Sequence, residues 1–221
     1  MELLRKSAAE FVGTALLVAV VVGSGIMASG MSGDSALVLL INTISTVFGL
    51  AVIIYLFLPI SGAHLNPVVS LVQFLRSKLP GRETLAYVIS QTLGAISGAV
   101  LANVMFNQVA IQLSQTARVN TGTFVGEVVA TSILVMLVAV IGHRRQESLA
   151  PVVIAAWIGS AYFFTSSTSF ANPAVTVGRI FSDTFAGIQP ASAPFFILAQ
   201  VAGGLLGLLV FKFFTNEKRE K

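Results

Sequence analysis

The chain has 221 residues, 55% of them hydrophobic and 10% charged, with a mean hydropathy of +0.89 and a formal net charge of +4. A soluble domain of this size carries about a quarter charged residues, so the composition excludes an ordinary soluble protein and points to one compact membrane-embedded bundle. Cysteine is absent, which excludes disulfides and thiolate metal sites.

In chain order, "MELLRK" leads into an apolar stretch too long for the core of a signal peptide, and is read as a retained first span at roughly 8–30. Further apolar segments follow at roughly 36–60, 83–106, 121–142, 149–167 and 192–214. Each is long enough to cross about 30 Å of hydrocarbon at about 1.5 Å per residue. Two shorter apolar stretches, 66–75 and 172–182, would reach only about half that depth. Both begin at an Asn-Pro pair. "SGAHLNPVVS" (61–70) and "STSFANPAVT" (167–176) align at their serines as S-x-x-x-x-N-P-x-V-[S/T]. Asparagine is a favoured helix N-cap and proline a favoured first helical residue, so Asn66-Pro67 and Asn172-Pro173 each start a short helix.

Placing the N-terminus in the cytoplasm and alternating six spans puts eleven basic residues inside: Arg5, Lys6, Arg76, Lys78, Arg82, Arg144, Arg145, Lys212, Lys218, Arg219 and Lys221. Only Arg118 and Arg179 fall outside. This bias predicts both termini in the cytoplasm and gives the positive charge a topological meaning, with no nucleic-acid partner. Three features also recur in order. Glu10-Phe11-Val12-Gly13-Thr14 matches Glu127-Val128-Val129-Ala130-Thr131, the Asn-Pro stretches follow, and Gln91, Gly94 and Gly98 match Gln200, Gly203 and Gly207. The chain is read as a single channel domain made of two repeats, 1–118 and 119–221. Three spans per repeat require the second to be inverted, which puts the site at the midplane.

Inversion makes the two short helices enter from opposite sides with their N-termini facing. Each N-terminus carries about half a positive charge. The loops leading in, 61–65 and 165–171, expose backbone that hydrocarbon does not tolerate, so they must line water or protein. The asparagine side-chain oxygens are expected to cap the helices while their NH2 groups donate into a pore. A water held by two such donors breaks a proton-conducting chain, and the opposed positive ends repel cations. The expected device is a channel for small neutral polar solutes.

These residues resemble the aquaporin, or major intrinsic protein, family over nearly the whole chain: "SGAHLNP" is close to its first signature, "AEFVGT" to its first-span motif, and Asn172-Pro173-Ala174 to its second signature. The resemblance implies an all-α bundle of six transmembrane helices and two re-entrant half-helices. It also implies homotetramers with one pore per subunit, water and small neutral solutes as cargo, and no catalysis or cofactor. It further implies that Glu10 and Glu127 are buried acceptors that hold the re-entrant loops.

Two departures matter. Val68 stands where the first signature has alanine, an expected packing change. Val175 stands where the family places the arginine of its outer constriction. Arg179 lies one turn later and is expected to be a charge near the outer surface or a structural partner of Asp183. Counting without gaps from the asparagines predicts a selectivity filter of Thr46, Ser160, Ser169 and Val175, with Phe48 a rival to Thr46. Such a ring is wider than one built around arginine, histidine or aromatics. Bacterial members found with arsenic-resistance genes show a similar loss of the arginine, and this likeness implies arsenite or methylated arsenicals as cargo in a bacterial plasma membrane.

Two other classes are weighed. Intramembrane carboxylates could make Glu10 and Glu127 the sites of an ion-coupled transporter, and a structural membrane protein with a vestigial pore would carry no flux. His64 is expected to line the cytoplasmic vestibule or gate it. With only His143 besides, no metal site is predicted. Trp157 is expected to pack against helices and lipid. The paired glycines should permit close helix crossing.

Overall fold

The computed structural model describes residues 1–215, in which all regular structure is helical; Lys218, Arg219 and Lys221 lie outside the described residues. The main helices are α1 (Glu2–Met31), α2 (Ser35–Ser61), α3 (Pro67–Leu75), α4 (Gly81–Met105), α5 (Thr121–His143), α6 (Ala150–Phe164), α7 (Pro173–Arg179) and α8 (Ala193–Thr215). Six are long and apolar enough to cross a membrane: α1, α2, α4, α5, and α6 and α8 together with the short turns that lead into them.

Local chemistry sets the boundaries. Asp34 caps α2 by accepting from the Ala36 and Leu37 N–H groups, and Gly62 ends it in the left-handed conformation at φ 86. Asn120 and Thr123 form a reciprocal capping box at the start of α5. Helix α1 begins six residues earlier than position 8, where Lys6 bridges Glu2 at 3.0 Å and Glu83 of α4 at 3.3 Å. Helix α7 stops at Arg179, short of the expected 182. The outer loop takes the carbonyls that would continue it: Ser114 N–H donates to the Ile180 carbonyl at 2.9 Å, and Asn103 Nδ2 donates to that of Phe181 at 2.9 Å.

Packing pairs α1 with α4 and α5 with α8, while α2 lies against α6 and the short helices α3 and α7 meet. The two long crossings rest on the glycines singled out in the sequence. A Cβ at Gly94 or Gly98 would run into the backbone carbonyls of Phe11 and Ala15, and one at Gly203 or Gly207 into those of Val128 and Ser132. Backbones therefore touch directly, the close approach that small residues permit in lipid. Trp157 packs as expected, half-buried, with Nε1 donating to the Ala130 carbonyl at 3.0 Å.

Candidate functional site

The two loops that deliver the Asn-Pro pairs are built around buried carboxylates. Glu10 accepts from Ser61 Oγ at 2.6 Å, His64 N–H at 2.9 Å, Leu65 N–H at 2.6 Å and Gln91 Nε2 at 2.7 Å. Glu127 accepts from the N–H groups of Phe170 and Ala171, both at 2.8 Å, and from Gln200 Nε2 at 2.6 Å. Successive N–H groups can converge on one carboxylate because alternate residues are left-handed: Ala63 and Leu65 in one loop (φ 46 and 51), Ser169 and Ala171 in the other (φ 49 and 47). Each such residue costs on the order of 1–2 kcal/mol, which the charge-assisted hydrogen bonds offset. Gln91 and Gln200 were legible only as repeated positions; they orient the two carboxylates.

At the loop ends the asparagines cap as expected. Asn66 Oδ1 accepts from Val68 N–H at 3.0 Å, and Asn172 Oδ1 accepts from Ala174 and Val175 N–H at 3.0 and 3.2 Å. One expectation is corrected. Each NH2 keeps a single hydrogen for the lumen, because the other closes the opposite loop: Asn66 Nδ2 donates to the Ala171 carbonyl and Asn172 Nδ2 to the Leu65 carbonyl, both at 2.7 Å. Pro67 and Pro173 occupy the first helical positions. Val68 is buried between α3, α5 and α8, where Gly204 leaves room for its branch, so the departure from alanine is absorbed away from the lumen. Ala174 is buried in the main core.

A cavity of about 250 Å³ runs past both asparagines. Its walls are largely aliphatic, with Leu17, Leu50, Ile54 and Ile154 among them, and its polar lining includes His64, Thr46 and Ser169. His64 contacts Ser70 Oγ through Nδ1 at 3.0 Å and stacks edge-on against Tyr87 at 5.3 Å.

Of the four residues expected at the filter, the structure brings Thr46, Ser169 and Val175 to this cavity. Phe48 is 69% exposed, on the outside of α2. Ser160 is a correction: it is exposed on the outer face of α6 and absent from the lining, which instead takes Ile158 and Tyr162 from that helix. Two residues turn a helix by about 200°, so a register error of two carries a side chain to the opposite face. The ungapped count back from Asn172 crosses a loop whose length the sequence does not fix. Tyr162 donates from its hydroxyl to Thr46 Oγ1 at 3.3 Å, closing α6 onto α2.

Arg179 is the third correction. It is 4% exposed, lines the cavity and forms no ion pair with Asp183. Asp183 accepts instead from Gln115 N–H at 2.9 Å. The Arg179 guanidinium lies over the Phe170 ring, 3.4 Å from its centroid, and Nε donates to the Ala186 carbonyl. Arg118 approaches the same ring at 5.4 Å and donates to the carbonyls of Gly187 and Phe185 at 2.7 and 2.8 Å. Burial lowers the Arg118 pKa from the ordinary arginine value. The spacing that could have revealed Arg179 is its position four residues after Val175, on the same helix face.

The family model described as "Major intrinsic protein" matches residues 1–170. The chain belongs to the major intrinsic protein family. Among curated family relatives, "Aquaglyceroporin AqpS" of Rhizobium meliloti (strain 1021) is 42% identical over 218 residues, covering 99% of this chain and 93% of the relative. "Aquaporin A" of Dictyostelium discoideum is 30% identical, covering 95% of this chain and 78% of its own. "Glycerol uptake facilitator protein" of Pseudomonas aeruginosa is 30% identical, covering 90% and 84% respectively. The aquaglyceroporin from Plasmodium falciparum, known from an X-ray structure, shares the fold with a TM-score of 0.72 at 22% identity, over 96% of this chain and 95% of its own. Major intrinsic proteins are integral membrane channels and not enzymes, and this chain's six apolar helices and two half-helices are the family fold.

Proposed function

We propose that the chain is a passive, bidirectional channel for water and small neutral polar solutes of the size of glycerol. The observation that supports this reading is the reciprocal pair of asparagines beside a continuous cavity, each with one N–H left to offer a solute. A water between them accepts two hydrogen bonds and is held out of any proton relay. Relatives named for glycerol uptake and as aquaglyceroporins support the solute range. Val175 in place of an arginine leaves the outer ring wide, which extends the cargo to neutral arsenite or methylated arsenicals.

The matched loops around Glu10 and Glu127 and the matched glycine crossings support two inverted repeats, 1–118 and 119–221. The excess of basic residues between alternate spans supports cytoplasmic termini in a bacterial plasma membrane. Assembly as a homotetramer follows from the family resemblance. Saturation of Glu10 and Glu127 by loop hydrogen bonds argues against their use as coupling sites.

Swelling of proteoliposomes in water, glycerol, urea and neutral arsenicals tests the reading. Asn172→Leu should remove both the cap and the lumenal donor and block solute entry by at least tenfold in correctly assembled protein. Unchanged flux through that variant would rule out a path past Asn172.

A further inference from the structure

Arg179 poses a problem of charge. It is 4% exposed and has no carboxylate partner among the described residues. A buried guanidinium is costly unless its donors are used. The Nε–H is used by the Ala186 carbonyl, and one face of the group is covered by Phe170. The two terminal nitrogens bond to no protein group among the described residues, yet neither is sealed from solvent, and Arg179 lines the cavity. They are the donors that Arg179 has left to offer the lumen it lines.

A second polar group without a partner lies in the loop that carries Phe170. Ser169 is 3% exposed, lines the same cavity, and its Oγ is buried without a hydrogen-bond partner. Ser169 precedes Phe170, the ring on which Arg179 lies, so one loop carries both the hydroxyl and the platform for the cation. Phe196 holds that ring edge-on at 4.9 Å. Val175, which lines the same cavity, contributes only aliphatic surface. Arg118, 5.4 Å from the centroid of the same ring, adds positive charge. Asp183, the acid of the adjoining loop, is exposed and engaged by Gln115 N–H.

We propose that Arg179 and Ser169 form a binding station at this mouth of the lumen for a small monoanion carrying two oxygens on one atom, of the carboxylate class. The planar fork of the guanidinium matches two such oxygens, and the unpartnered serine hydroxyl, turned about its Cα–Cβ bond, donates a further hydrogen bond. The station lies on the path of the neutral solutes, so an anion held there slows their entry; this consequence rests on the channel reading above, whereas binding itself does not.

Trifluoroacetate is a suitable probe, because it stays ionised at neutral pH and does not cross the bilayer as the acid. With purified wild-type protein in detergent, its fluorine resonance should broaden relative to a matched chloride solution. Arg179→Met should abolish the broadening, and Arg179→Lys, a point charge without the fork, should weaken binding by roughly tenfold. Ser169→Ala should weaken it by roughly fivefold, the worth of about one hydrogen bond. Thermal unfolding of each variant reports its integrity; if Arg179→Met does not assemble, Arg179→Lys and Ser169→Ala carry the decision. In proteoliposomes, trifluoroacetate should slow glycerol entry in the wild type several-fold more than in Arg179→Lys. No broadening in the wild type, or equal broadening in all variants, overturns the station. Absence of wild-type glycerol flux with intact, Arg179-dependent broadening would instead overturn the channel reading alone.

Discussion

At position 175 a branched aliphatic side chain, 5% exposed, stands one helical turn before a buried arginine on the same face of α7. Introducing Val175→Arg adds a second guanidinium beside Arg179 and narrows the ring that Thr46 and Ser169 share. Glycerol passage should fall by an order of magnitude or more while water passage falls only a few-fold, since removing cross-section excludes the larger solute first. The comparison is the ratio of the two permeabilities in the same vesicles, and an unchanged ratio would remove Val175 from the constriction. The site was legible where chemistry is local. Asn66 and Asn172 announce themselves as caps, and Thr46 aligns across a gapless stretch. Ser160 failed because helix α6 ends at Phe164 and an irregular loop intervenes before Asn172. Arg179 was misjudged because its direction is set by Phe170 and the Ala186 carbonyl, partners that only the folded chain brings together.

Each half-helix depends on a loop that could not hold its shape alone. Glu127→Gln conserves volume but removes the charge and turns an NH2 toward the N–H group of either Phe170 or Ala171, donor against donor. Leaving one such buried group unsatisfied costs about 1–3 kcal/mol. The variant should unfold at lower temperature in detergent and lose solute flux, and a wild-type melting profile would show that the carboxylate does not hold the loop. Between elements, Gly98 lets α4 ride on the Ala15 carbonyl of α1. Even Gly98→Ala should destabilise by about 1–3 kcal/mol through overpacking, read as lower yield and earlier thermal aggregation. Apolar runs and caps revealed the helix ends to within three residues, except the start of α1, six residues earlier than expected. The early stop of α7 was hidden because Ser114 and Asn103, far away in the chain, take its last carbonyls.

Across the whole molecule, the half-helix N-termini Asn66 and Asn172 meet beside a largely aliphatic lumen that offers few alternative partners to a hydronium ion. A pH gradient across proteoliposomes should therefore drive no more than a small proton current relative to water flux, despite the valine at position 175. A large current would place the barrier elsewhere or show it to be missing. The crossed asparagine bonds have a further effect, on biosynthesis. Asn66 needs a carbonyl made 105 residues later, and Leu65 offers a carbonyl whose donor lies 107 residues on. While a ribosome is still making the second half, the first re-entrant loop holds an unanswered donor and an unanswered acceptor at the depth of the acyl chains. Its half-helix should therefore remain at the membrane surface, or be sheltered by the insertion machinery, until α7 emerges, so that the lumen is sealed in one late step. A nascent chain halted before Asn172 would expose this loop to protease or to a water-soluble thiol label placed within it, and extension past that residue would end the exposure.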